Sequence, residues 1–172
     1  ITGNGQFTLG TGSPATLCGF QVSRAAQVVT GTTVANGVST PLAATSTIYY
    51  RGDNTIVATD SAGEVFLFLP VSFPATVRAG DTGPLGTGTE IDSNCNQVSF
   101  GATSTGAYSV ASDRANSLLV TFVRNQNNSF SGSASQASTV YRIDTNGNVS
   151  LISITAVQSF LGSVFKTLIF TF

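Results

Sequence analysis

No histidine, methionine or tryptophan occurs in this chain, and only 9% of its residues are charged. Without histidine, Ser-His-Asp and Cys-His nucleophilic catalysis drop out together with the commonest metal ligand. Soluble domains ordinarily carry roughly a quarter of their residues as Asp, Glu, Lys or Arg. Here Ser, Thr, Gly and Asn fill the polar positions, so the surface is one of hydroxyls and amides. One lysine, Lys166, six scattered arginines and a net charge of −1 leave no electrostatic footprint for nucleic acid or an anionic membrane. The longest apolar run, EVFLFLPVSFP, is broken by Pro70 and Pro74, so no segment reaches the length of a spanning helix. No GxGxxG sits between strand and helix, and no phosphate-loop lysine is present. An enzyme therefore lacks its parts, and no cofactor and no metal ion is expected. The first residue is Ile1 rather than Met, which predicts a processed chain that has lost a signal peptide.

Short runs with period-two alternation, bounded by Gly, Asn, Asp and Pro, recur from end to end, and helical periodicity is hard to find. At 172 residues this predicts one all-β domain, an antiparallel β-sandwich or barrel-like fold with a C-terminal meander. VYRIDTNGNVSLISI reads as a hairpin turning at Asn146-Gly147, with Tyr141 and Ile143 on one face. TIYYRGDNTIVATD reads as another, turning at Gly52-Asp53-Asn54, and the chain turns again at Ala62-Gly63. Residues 74–96 are rich in glycine and poor in large apolar side chains, and read as a long connection. Residues 1–11 read as an extended N-terminal arm. The last strand, Phe165 to Phe172, is uncharged after Lys166 and would be an aggregation hazard if its edge stayed open. Phe165, Leu168, Phe170 and Phe172 are its core or interface candidates.

Cys18 and Cys95 belong to no CxxC pattern. In an exported chain they would form one disulfide, contributing about 4 kcal/mol in the chain-entropy picture. Two free thiols or an intermolecular pair are the alternatives at this stage. Asn127 and Asn148 head glycosylation sequons. Asp81, Glu90 and Asp92 form the only dense group of acids, which with Asn94 offers either a solvated loop or a weak calcium site. Arg51-Gly52-Asp53 spells an adhesion tripeptide but is also ordinary turn chemistry. Tyr49, Tyr50, Tyr108 and Tyr141 offer either a sugar platform or strand packing.

FPATVRAGDTGPLG, residues 73–86, followed by YRIDTNGNVSLISI, residues 141–154, resembles a pattern in uncharacterised secreted or lipoprotein-like β-rich proteins of Gram-negative bacteria. KTLIFTF is similar to the final strand of pilins assembled by donated strands. The second resemblance implies self-assembly by strand addition, although such pilins place their two cysteines closer together. The expected function is a structural subunit of an extracellular filament or surface appendage, a homo-oligomer or homopolymer. Its donor arm would carry Ile1, Phe7 and Leu9, and FKTLIFTF would pair within its own subunit. The alternative is a monomeric secreted barrel or sandwich that binds an apolar ligand or a glycan.

Overall fold

A computed structural model describes the chain except residues 53–54, 70–73, 75 and 115, and at Phe165 the backbone alone. Twelve strands form one sheet: β1 (Thr2–Leu9), β2 (Ser13–Leu17), β3 (Phe20–Ala35), β4 (Val38–Tyr50), β5 (Ile56–Ser61), β6 (Glu64–Leu69), β7 (Thr82–Ile91), β8 (Thr103–Ser112), β9 (Ser117–Asn128), β10 (Ser133–Asp144), β11 (Val149–Phe160) and β12 (Ser163–Thr171). No described residue is helical. From β3 to β12 each strand pairs antiparallel with the next in sequence, an up-and-down meander. β1 then closes it, lying antiparallel to β3 on one side and parallel to β12 on the other. The result is an 11-stranded closed barrel, with β2 outside it.

Four of the turns are built alike. Cys18-Gly19, Asn36-Gly37, Ala62-Gly63 and Leu161-Gly162 each join neighbouring strands with two residues of positive φ. That is the two-residue hairpin whose backbone twist matches the strands it joins. Asn146-Gly147 belongs to a longer loop, in which the Asp144 carboxylate accepts from the backbone N–H groups of Asn146 and Asn148 and from the Asn148 side-chain amide. Part of the turn expected at residues 52–54 lies outside the described residues.

The segment expected as a long connection at residues 74–96 contains β7, a full strand in the middle of the sheet. Its glycines hide it from a propensity reading. They are there because lumenal rings lie on them: a Cβ at Gly88 would come within 2.7 Å of the Phe68 ring, and one at Gly83 within 2.8 Å of the Tyr108 ring. The expected free arm at residues 1–11 is also corrected. Thr2 to Leu9 pair residue by residue with Val34 to Gln27 of β3, and Thr2 to Asn4 pair with Ile169 to Thr171 of β12. The open edge of the last strand is thus covered, at this end, by the chain's own first strand. The seam is tight, since a Cβ on Gly3 would come within 2.8 Å of the Phe170 ring, and Phe170 is buried.

The cysteines are joined to one another, with Cα atoms 5.5 Å apart across 77 residues. Cys18 sits at the tip of the β2–β3 hairpin and Cys95 in the loop after β7, with β4, β5 and β6 between β3 and β7 in the sheet. The hairpin therefore folds back across the intervening strands instead of running straight on. Val22 of this hairpin and Ala58 of β5, both on outward register positions, are buried.

On β8 the outward positions Thr103, Thr105, Ala107, Ser109 and Ala111 are all exposed. Among the described residues no helix is long and apolar enough to cross a membrane.

Candidate functional site: the barrel lumen

Alternation along β9 places Val120, Phe122, Arg124 and Gln126 on the inward face. Val120 is almost fully buried, and Phe122 meets Tyr141 of β10 edge to face at 5.7 Å. Burial pushes the Tyr141 phenol up, which keeps it neutral. Arg124 follows on the same apolar face. Its Nε donates to Ser104 Oγ of β8 at 2.9 Å, and Nη1 donates to Thr59 Oγ1 of β5 at 2.8 Å. The bond to Thr59 crosses the lumen from one wall to another. The guanidinium also lies over the rings of Phe66 and Phe68 on β6, 4.9 and 5.1 Å from their centroids. Its Nη2 is buried without a hydrogen-bond partner among the described residues.

No carboxylate is within ion-pair distance of Arg124 among the described residues; the ion pair found there joins Arg142 to Asp113. Desolvation lowers the Arg124 pKa to about 10, so the group stays charged at neutral pH. A buried cation compensated only by two hydroxyls and two ring faces is a costly arrangement, and such groups concentrate at functional sites.

Register places small residues beside it. The neighbours of Arg124 across the ladder are Gly106 on β8 and Ala137 on β10, followed by Ala156 on β11. Leu85 covers Gly106. Ala137 and Ala156 leave their side of the lumen low, and both are only half-buried, as are the inward-facing Thr139 and Ile154. The chain exposes 10266 Å², where a folded monomer of 17.6 kDa exposes roughly 7,900 Å².

At the rim formed by the loops after β7, β9 and β11 lies a polar mouth, a cavity of about 200 Å³ lined in part by Glu64, Glu90, Gln126, Ser135 and Gln158. Glu90 accepts from the Ala102 N–H at 2.8 Å, and Ser135 donates to Gln126. Lys166 lies opposite Gln158 in register and is exposed. The loop tips at this rim are apolar. Phe100 and Phe130 stack with centroids 5.0 Å apart and are 74% and 76% exposed, and Leu161 is 75% exposed.

The residues singled out from sequence are distributed differently. Phe7 faces inward, half-buried, opposite Val29; Leu9 is exposed opposite Gln27; the Ile1 carbonyl accepts from Ile169 N–H. Leu168 lies opposite Ala156, and the Phe172 N–H donates to the Ile152 carbonyl. The side chain of Phe165 and the whole of Asp53 lie outside the described residues.

The acids do not cluster. Asp81 precedes β7 and accepts from Arg78 N–H, while Glu90 and Asp92 lie at the far end of that strand. Asp92 accepts from the N–H groups of Asn94 and Asn96, and no group of three metal-ligating side chains forms among the described residues. The tyrosines form no common platform, since Tyr50 packs on Gly12, Tyr108 on Gly83 and Tyr141 on Phe122. Arg124 was missed from sequence, although VTFVRNQ placed it in phase with Val120 and Phe122.

The fold and this interior define a closed β-barrel with a partly accessible lumen around one buried cation. Comparison with family models, curated proteins and solved structures finds no match for the chain.

Proposed function

We propose that this chain is a secreted, non-enzymatic barrel that binds a small molecule in its lumen. The observation that carries the reading is the half-buried inner wall of β10 and β11, where Ala137, Thr139, Ile154 and Ala156 face inward and none is fully buried. Barrels whose inward residues are too small to fill them enclose ligand cavities. The polar mouth supplies an entrance, and Phe100, Phe130 and Leu161 give an apolar molecule a first contact at its rim. The long-range disulfide supports an oxidising destination. The test is Ala156→Phe, which fills the lumen from β11. Uptake of an environment-sensitive apolar dye should be abolished while the far-UV circular dichroism keeps its β signature. Undiminished dye uptake by this variant would sink the reading.

A second reading, the filament subunit assembled by strand addition, is favoured by one feature of the seam. β1 meets β12 over three residue pairs only, in parallel, and Gly10 and Gly12 follow it. In this reading β1 leaves its own barrel and closes a neighbour's, making the same contacts between chains.

A further inference from the structure

We propose that the lumenal ligand is an amphiphilic monoanion, a carboxylate or sulfonate on an apolar body, with its acid group held by Arg124; this rests on the binding-barrel reading above. The first support is Arg124 Nη2, buried without a hydrogen-bond partner among the described residues. Nε and Nη1 are committed to Ser104 and Thr59, so the guanidinium is held in one orientation and presents its remaining donors as a preformed site. A planar fork of this kind suits a carboxylate, whose charge would compensate the one cation on this stretch of inner wall.

The second support is the neighbourhood. Phe66 and Phe68 flank the guanidinium, Phe122 and Tyr141 continue the apolar face along β9 and β10, and the small residues Ala137 and then Ala156 are its neighbours across the ladder. An apolar chain or ring is the complement to such walls. The third is the mouth, where Glu64 and Glu90 line the entrance. Like-charge repulsion there disfavours phosphates and other polyanions, which would in addition find no glycine-rich loop to hold them. Lys166 is exposed at the same rim and leaves passage open to a single negative charge.

The experiment uses the full oxidised chain at pH 7.4. Nile red, an uncharged polarity-sensitive dye, serves as the fluorescent probe, and dodecanoate and dodecanol compete for it. Dodecanoate should displace the probe at concentrations about tenfold lower than dodecanol, the preference expected for one charge-assisted contact. Arg124→Met, which keeps an apolar side chain of similar reach, should remove that preference and leave dodecanol competition unchanged. Arg124→Lys should restore part of it. Equal competition by the two molecules in the unmodified protein overturns the anion assignment while leaving a lumenal binder standing, and needs no variant to be read. Failure of the probe and both competitors to bind overturns the binding-barrel reading itself.

Discussion

At the scale of single residues, this barrel depends on where side chains are missing as much as on where they are present. Gly88 lies under the Phe68 ring with no space for a methyl group, so Gly88→Ala should lower stability by about 1–3 kcal/mol, the cost of overpacking a filled site. A urea unfolding series reads this directly. Ala62 is the reverse case. It holds φ 55 in a two-residue turn, a conformation that Asn adopts with less strain, so Ala62→Asn should stabilise by about 1 kcal/mol and raise the urea midpoint. Three carboxylates should shape the acid limb. Asp92 is held below the usual range by the Asn96 backbone N–H, Asp113 by the Arg142 guanidinium, and Asp144 by the Asn148 side-chain amide. A native pKa below the unfolded one means that the stabilisation is complete above the unfolded value, near pH 4, and is lost as pH falls through the native values. Asp144→Asn should therefore flatten the loss of stability below about pH 4 in an acid titration followed by circular dichroism. Arg124 was visible in the sequence as a cation in phase with two apolar residues, but nothing in the chain told whether it would reach water. That depended on Thr59, 65 residues away.

At the scale of elements, the turns were the most legible feature and the strands between them less so. Asn146-Gly147 and Ala62-Gly63 carry their backbone requirement in their own letters. Cys18-Gly19 and Leu161-Gly162 use the same turn with residues that do not advertise it. β7 was illegible because its glycines answer to rings on β6 and β8, which no local pattern encodes. The β2–β3 hairpin owes its position to the disulfide. Replacing both cysteines with alanine should cost about 4 kcal/mol, less any native strain relieved. The increase in hydrogen exchange should be largest at residues 13–24 and 92–97, beyond the smaller general increase that lower global stability gives β9–β11. Uniform deprotection would mean that the bond holds the whole barrel closed.

The edges also matter at this scale. β5 pairs only with Ser46 to Tyr50 of β4, leaving residues 38–45 without a partner on that side among the described residues. Pro41, opposite Thr32 in the β3 ladder, removes one donor from this open edge, a device that discourages pairing with another chain.

At the scale of the whole molecule, the two functional readings separate by assembly state. A binding barrel should sediment as a monomer across micromolar concentrations, with no polymers in negative-stain electron microscopy. Strand exchange through β1 should give polymers that survive dilution, and deleting residues 1–11 should remove them. The sequence by itself determined the class: alternating apolar positions and X-Gly turns specify short antiparallel strands, and the absence of histidine removes the catalysis that depends on an imidazole. Those are local properties, encoded within a few residues of where they act. Only the tertiary structure decided that the sheet closes, that the first strand covers the last, that Cys18 reaches Cys95 and that Arg124 faces the lumen. Each of these joins residues far apart in the chain, and a side chain's partner across a closed barrel is set by the register of every strand between them.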